Sequence, residues 1–115
     1  MTIKHFFEVY PPKRMWRKLW IGLSSLPMLP QHRATILKLG GVNIKGRSMI
    51  YGGVGIDTVY PDKIYIGKGV RITAGTKILT HYLDPTQSGV HFRKGEVHIE
   101  NDVFIGVNVC ICSPV

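Results

Sequence analysis

The hydrophobic positions of residues 44–111 repeat every six residues. Isoleucine occupies the first position of nine six-residue units, which fall into three groups of three. These positions are Ile44, Ile50 and Ile56, then Ile66, Ile72 and Ile78, then Ile99, Ile105 and Ile111. A helix has a period of about 3.6 residues and a strand a period of about 2, so neither element alone produces this spacing.

The fifth position of each unit supports the same division of the chain. Seven of the nine residues there are small or β-branched, and the exceptions, Tyr60 and Tyr82, stand where a group ends. Each unit therefore predicts a short strand followed by a tight turn, and three units complete one triangular coil. Stacked coils bury each other's aliphatic residues, since a single coil cannot bury its own apolar face. We predict an all-β fold, a parallel β-helix over residues 41–115.

Other folds fit this segment poorly. Residues 40–115 contain no helical periodicity of the length that a βαβ unit requires, and a β-sandwich would alternate every second residue. The sequence Gly67-Lys68-Gly69 lacks the third glycine and the following helix of a dinucleotide-binding turn.

Residues 1–40 have a different pattern and are predicted to be a basic, helical N-terminal segment. In the stretch 11–30, one helical face is apolar, and basic residues take the other face. The apolar positions are Trp16, Leu19, Trp20 and Leu23. Pro27 and Pro30 are predicted to end this helix. A second short helix is predicted from Arg33 to Leu39, stopping at Gly40.

Charge divides the chain at a similar point. Residues 1–47 hold nine Lys/Arg and one acid, 9 − 1 = +8, whereas residues 48–115 hold six of each sign. Three explanations of the basic segment stay open: packing that closes the first coil, contact of residues 11–30 with an anionic membrane surface, or nucleic-acid binding. No nucleic-acid-binding module is recognisable, so we expect no nucleic acid partner.

The uncharged stretch from Leu19 to His32 is too short, and too broken by prolines, to span a bilayer. The two cysteines, Cys110 and Cys112, lack the further ligands of a zinc site, and no metal site is predicted. Few cysteines and no clear export signal favour a cytoplasmic location, with membrane association as the open alternative.

The six-residue repeat is interrupted after Ile78, and the candidate catalytic residue lies at this interruption. The next unit begins only at Ile99, twenty-one residues later. Residues 82–95 are therefore predicted to form a loop outside the coil, with His81 at its root. Loops on rigid scaffolds often carry function. A histidine titrates near neutral pH and suits a general base, the alternative being a solvated loop histidine.

The repeat resembles the hexapeptide-repeat acyltransferases, within the branch of sugar O-acetyltransferases related to galactoside and maltose acetyltransferases. The resemblance covers about residues 36–115 and is most specific in "IDTVYPDKIYIG" (56–67), "ILTHYLDP" (78–85) and "VHIENDVFIGVNVCI" (97–111). It implies a left-handed parallel β-helix and a homotrimer with active sites between adjacent subunits. It also implies acetyl-CoA as the acyl donor and a hydroxyl of a sugar or glycan as the acceptor.

The resemblance further implies roles for individual residues. His81 matches the general base. Asp57 matches a carboxylate that binds the sugar acceptor, although a turn-capping aspartate is the alternative. Asp84 is placed to bind substrate or to orient the loop or the imidazole, and stabilisation of the loop alone is an equal reading. His91 and His98 match no role and are predicted to be loop and surface residues.

The sequence Phe104-Ile105-Gly106 matches the residues that contact the acyl donor in the resembled enzymes. The resemblance implies that Phe104 and Gly106 contact the acyl donor and that the backbone N–H of Val107 binds the oxyanion. An exposed aromatic on the coil surface is the alternative for Phe104. A zinc-dependent carbonic anhydrase of similar fold is disfavoured, since His81, His91 and His98 do not reproduce its close histidine pair.

The sequence ends at "VCICSPV", inside a coil, where the resembled proteins usually continue with further units that supply much of the coenzyme A groove. We therefore expect a truncated chain with an incomplete donor site. The competing functional hypothesis is a non-catalytic β-helical module that binds a partner or an anionic membrane surface through its basic N-terminus.

Overall fold

The computed structural model describes residues 12–115, in which short strands predominate and two helices precede them. Helix α1 spans Pro12–Leu23 and helix α2 spans Pro30–Leu39. The two predicted helices are thus confirmed, with shifted ends. α1 stops before Pro27, and α2 begins three residues before the predicted Arg33, because Pro30 suits the first turn of a helix.

The helices pack closely where α2 ends. The N–H of Gly40 donates to the carbonyl of Ile36 at 3.0 Å and closes the last turn of α2. A Cβ atom at Gly40 would lie 2.9 Å from Cγ1 of Ile21, so glycine is what allows α1 to approach this point. Ile21 is buried there, together with Leu37 of α2.

The strands contain two or three residues each and form three small, open parallel sheets and one hairpin. They are β1 Asn43–Ile44, β2 Met49–Ile50, β3 Gly55–Ile56, β4 Ile64–Ile66, β5 Arg71–Ile72, β6 Lys77–Leu79, β7 His81–Leu83, β8 Phe92–Lys94, β9 Val97–Ile99, β10 Phe104–Ile105 and β11 Cys110–Cys112. A short 3₁₀ helix, Pro61–Lys63, precedes β4.

The chain visits the three parallel sheets in rotation. The sheet orders are β1-β4-β9, β2-β5-β10 and β3-β6-β11, so every third strand of the body returns to the same sheet. The isoleucines of the repeat lie side by side in this register: Ile44, Ile66 and Ile99; Ile50, Ile72 and Ile105; Ile56, Ile78 and Ile111. Eight of these nine side chains are buried and Ile111 packs against them. The predicted six-residue alignment is confirmed.

The segment predicted as a loop over residues 82–95 contains a β-hairpin. β7 and β8 pair in antiparallel fashion, with His81 opposite Lys94 and Leu83 opposite Phe92. The amide of Asp84 donates to the carbonyl of His91 at 2.7 Å and extends the pairing by one step. His81 is therefore a strand residue with a paired backbone rather than the foot of an irregular loop.

Helix α2 covers the first strands of the body, and a buried arginine joins them. Arg33 donates from Nε to the carbonyl of Ser24 at 2.7 Å and from its terminal nitrogens to those of Leu26 and Ile50, each at 3.0 Å. The guanidinium thus connects the end of α1, the connecting turn and strand β2. Bonds from a charged donor to buried carbonyls contribute more than neutral ones.

Candidate functional site

His81 and Asp57 are brought together by neighbouring strands of one sheet. Asp57 follows β3, and His81 begins the hairpin two residues after β6. Because Ile56 lies beside Ile78 in the parallel register, the chain leaving each strand passes through the same corner of the body. The Nδ1 atom of His81 lies 2.6 Å from Oδ2 of Asp57.

The carboxylate of Asp57 is buried, with 2% of its side chain exposed, and is held by several further donors. Oδ1 accepts hydrogen bonds from the amides of Val59, at 2.8 Å, and Tyr60, at 3.3 Å, which close the turn after β3. Oδ2 accepts from the Thr80 hydroxyl at 2.8 Å and from the amides of Thr80 and His81 at 3.1 and 3.2 Å. Asp57 therefore caps its turn and also positions the imidazole.

Asp57 remains ionised despite its burial. Burial alone would raise the pKa of this carboxyl, but the hydrogen bonds from Thr80, Val59 and His81 favour the charged form and bring the pKa below its usual value. A charged carboxylate accepts hydrogen bonds and donates none. The proton between Asp57 and His81 therefore belongs to Nδ1 of the imidazole.

This arrangement leaves the second nitrogen of His81 with an available lone pair. In a neutral imidazole with a proton on Nδ1, the lone pair is on Nε2. Nε2 makes no hydrogen bond with any residue in the range 12–115, and the side chain is 30% exposed. Tyr60 contacts the ring edge-on at a centroid distance of 5.5 Å, and Phe92 lies at 6.1 Å. The ring is thus held at Nδ1 by Asp57 and contacted by two aromatic side chains.

Asp84 is engaged within the hairpin. Its Oδ1 accepts from the hydroxyl of Thr86 at 2.6 Å and from the amide of Thr86 at 2.9 Å, and Nε of Arg93 lies 3.0 Å from Oδ2. These bonds from Thr86 and Arg93 lower the pKa of Asp84 to about 2. The contacts match the loop-stabilising reading, and orientation of the imidazole falls to Asp57. Substrate binding by either carboxylate stays a prediction.

The residues predicted to contact the acyl donor follow from another sheet. Phe104 begins β10, which pairs with β5, whereas His81 follows β6 of the next sheet. Phe104 and Val107 are exposed, and a Cβ atom at Gly106 would meet nothing within 4 Å. The N–H of Val107 donates to no acceptor in the described part of the chain. No hydrogen bond or ring contact among described residues joins these three to His81.

Sequence reasoning missed Thr80, Tyr60 and the pairing of Asp57 with His81. A signal for the pairing was present. The register of Ile56 with Ile78 sets residue 57 beside residue 79, so the side chain of Asp57 reaches residues 80 and 81. The sequence marks Tyr60 only as an exception among the fifth positions of the repeat.

No metal centre accompanies this pair in residues 12–115, where no group of three or more His, Cys, Asp or Glu side chains is placed to hold an ion. His91 and His98 are exposed, as predicted. Comparison with models of known protein families, with curated proteins and with solved structures found no match.

Proposed function

We propose that the protein is an O-acetyltransferase that moves an acetyl group from acetyl-CoA to a hydroxyl of a sugar or glycan, with His81 as the general base. The single observation that carries the proposal is the 2.6 Å contact between Nδ1 of His81 and the buried carboxylate of Asp57, which leaves Nε2 free. The chemistry requires a base of this kind, since a neutral hydroxyl is a weak nucleophile.

In the proposed reaction, the acceptor oxygen attacks the thioester carbonyl while Nε2 of His81 takes the hydroxyl proton. The tetrahedral intermediate collapses with cleavage of the carbon–sulfur bond, and the thiolate of coenzyme A receives the proton from Nε2. Asp57 stabilises the imidazolium that exists between these steps, because its charge lies against Nδ1. A free backbone N–H such as that of Val107 suits the developing oxyanion.

The proposal includes a left-handed parallel β-helix and a homotrimer. The rotation of the chain through three parallel sheets and the stacked isoleucines support a coiled body. Phe104 begins a strand of a different sheet from the strand that leads to His81, and no described contact joins the two residues, which supports a site completed by a second copy of the chain. Sedimentation equilibrium tests this part: a trimer is expected, and a monomer at all concentrations contradicts it.

The proposed reaction is tested by following both products. Purified protein is incubated with acetyl-CoA and a panel of sugars, free thiol is measured, and the sugar is examined by mass spectrometry for an added acetyl group. We expect the thiol and the acetylated sugar to appear in equal amounts. Thiol release without acetylated sugar, or no release with any acceptor, contradicts the proposal.

A second candidate function, contact with an anionic membrane surface, is favoured by the exposed side of helix α1. We call this side the outer face; it consists of Met15, Trp16, Leu19 and Leu23. The sequence leaves open whether the apolar face of this helix packs on the rest of the chain; in the structure Ile21 of α1 is buried beside Gly40 at the end of α2, and these four residues are exposed. Trp16 is 57% exposed.

The positive charge near the outer face favours an anionic membrane surface as its partner. Lys18 is exposed beside it, and the whole excess of positive charge lies in residues 1–47. A helix with an apolar face and basic flanks suits the interface of an anionic bilayer, with Trp and Leu entering the headgroup boundary. No helix of residues 12–115 is long and apolar enough to cross a membrane. We propose a peripheral contact in which α1 lies on the surface.

Vesicle binding tests the membrane proposal. We expect co-sedimentation with vesicles containing phosphatidylglycerol, a blue shift of tryptophan emission that is lost in Trp16→Phe but kept in Trp20→Phe, and release at high salt. Leu19→Ser is expected to weaken binding, while Leu39→Ser, an exposed leucine at the end of α2, leaves it unchanged. Equal binding to neutral vesicles, or self-association through the outer face without lipid, contradicts the proposal.

A further inference from the structure

Two lysine ammonium groups flank the aromatic ring beside the proposed base. Nζ of Lys94 lies 5.5 Å from the centre of the Tyr60 ring, and Nζ of Lys63 lies 5.9 Å from the same point. The Tyr60 ring in turn meets the imidazole of His81 edge-on at 5.5 Å. Two positive charges therefore lie against the aromatic ring that contacts the proposed base.

The backbone fixes both lysines at this location. Lys94 is the direct partner of His81 across the hairpin, and such partners have Cα atoms about 5 Å apart. Lys63 ends the short 3₁₀ helix that follows the turn capped by Asp57. The backbone positions of both lysines therefore depend on the elements that hold His81 and Asp57.

Three aspartates in the elements around this site have other partners. Asp57 binds His81, Asp84 pairs with Arg93 at 3.0 Å, and Asp62 pairs with Arg17 at 3.4 Å. Neither Lys63 nor Lys94 forms an ion pair with a carboxylate in the described part of the chain. Asp57, ionised beside a neutral His81, offsets only one of the two ammonium charges, so the surroundings of the base keep a net positive charge.

We infer that the acceptor is an anionic sugar, whose carboxylate or phosphate group binds Lys63 and Lys94 while its hydroxyl faces Nε2 of His81. The inference rests on the proposed acetyl transfer and adds the class of acceptor. Lysine binds such groups as a mobile point charge and needs no fixed bidentate geometry, which suits two flexible side chains around one ring. Partly exposed ion pairs of this kind contribute modestly, so the effect is a preference and not an absolute requirement.

A matched pair of acceptors tests the inference. Methyl galacturonoside and methyl galactoside differ only in a carboxylate that replaces a hydroxymethyl group. We expect KM for the uronoside to be lower by about tenfold, and Lys63→Gln and Lys94→Gln each to raise it by about threefold to fivefold. The double variant is expected to bind both acceptors equally. Lys68→Gln, an exposed lysine in another turn, serves as the control.

Two further measurements show which anionic group the lysines bind: a carboxylate or a phosphate of the sugar, or the phosphates of coenzyme A. A sugar phosphate, tested beside the uronoside, shows whether carboxylate or phosphate is preferred, and a preference for either over the neutral sugar supports the inference. Coenzyme A also carries phosphates, so KM for acetyl-CoA is measured in every variant. If the lysine variants raise KM for acetyl-CoA and leave that for the uronoside unchanged, the lysines serve the donor and the inference is wrong.

Equilibrium binding tests the preference for an anionic acceptor independently of acetyl transfer. Binding of the two glycosides is followed by ligand-detected NMR without acetyl-CoA. Stronger binding of the uronoside that disappears in the double variant supports the anion site, even where no acetyl transfer occurs; that result would overturn only the proposed reaction. Equal binding of both glycosides to the wild-type chain overturns the inference.

Discussion

The chain contains two histidine–carboxylate pairs of nearly equal length in different surroundings. In one, Nδ1 of His81 lies 2.6 Å from Asp57; in the other, Nε2 of His98 lies 2.7 Å from Glu96. The Asp57 side chain is 2% exposed, whereas those of His98 and Glu96 are 49% and 51% exposed. Distance alone therefore does not distinguish a positioned base from a surface ion pair.

The surroundings of each carboxylate make the difference. Asp57 accepts bonds from Thr80 and from the turn after β3, so it cannot rotate away from His81. No bond besides that to His98 is seen for the side chain of Glu96 among described residues. His98 lies flat on Tyr65, with ring centres 4.6 Å apart, and both rings are on the outside of the body. An exposed pair of this kind contributes little.

The largest effect is expected from removing each histidine. His81→Ala should lower kcat for the proposed acetyl transfer by about 10²–10⁴-fold, since it removes the proposed general base. His98→Ala removes the surface pair and should leave kcat within about twofold, as does a surface substitution away from the site. Thiol release from acetyl-CoA measures both. Equal losses in the two variants, or an unchanged rate in His81→Ala, would contradict the distinction between the pairs.

A second comparison neutralises each carboxylate. Asp57→Asn should reduce kcat by about 10²-fold or more, because an amide does not hold the proton on Nδ1 of His81. It should also lower the free energy of unfolding by about 1–3 kcal/mol, since buried donors lose their charged acceptor. Glu96→Gln should change neither. Urea unfolding and thiol release provide the measurements, and equal effects at both positions would remove the basis of the comparison.

Thr80 provides a finer test of how Asp57 is held. Thr80→Val removes the hydroxyl that donates to Oδ2 at 2.8 Å and keeps the side-chain shape. We expect stability to fall by about 1 kcal/mol and kcat to fall by about tenfold, because the carboxylate gains freedom to turn. Thr80→Ser restores the donor and should recover most of the activity. A Val variant as active as the wild type would show that this bond does not position the base.

The smallest expected effect is on acid unfolding. The pKa of Asp57 in the folded chain lies below its usual value of 3.8, so the unfolded chain binds the proton more readily. The stability that Asp57 contributes is fully present above pH 3.8 and is lost as the pH falls through the folded pKa. Urea midpoints from pH 5 to pH 2 should fall less steeply in Asp57→Asn than in the wild type. Parallel curves would contradict the assignment.

Much of the body was predictable from the sequence because its stabilising interactions repeat. The spacing of the isoleucines predicted which residues lie side by side, and Ile50, Ile72 and Ile105 share one sheet in that order. The burial of the small fifth residues Val70 and Thr76 follows from the same register. Periodic packing requires no knowledge of distant contacts, since each unit meets its equivalent in the next coil.

The site was harder to predict because its contacts join residues at non-equivalent positions of different six-residue units. His81 stood out by its place at the break, but its partner depends on which side chain the corner after β3 presents, and Asp57 had two plausible roles. The hairpin was predicted only as a loop, since its strands contain three residues each. The sequence also left open which face of α1 packs. Helical spacing identified an apolar stripe but not the direction in which it points.

The central claim is that Asp57 holds the proton of His81 on Nδ1 and leaves Nε2 as the base. Two-bond ¹H–¹⁵N correlation NMR, recorded in mildly alkaline solution where imidazoles are neutral, reports the tautomer of each ring. We predict the Nδ1–H tautomer for His81 and the Nε2–H tautomer for His98, whose Nε2 lies against Glu96. An Nε2–H tautomer for His81, unchanged in Asp57→Asn, would contradict the account.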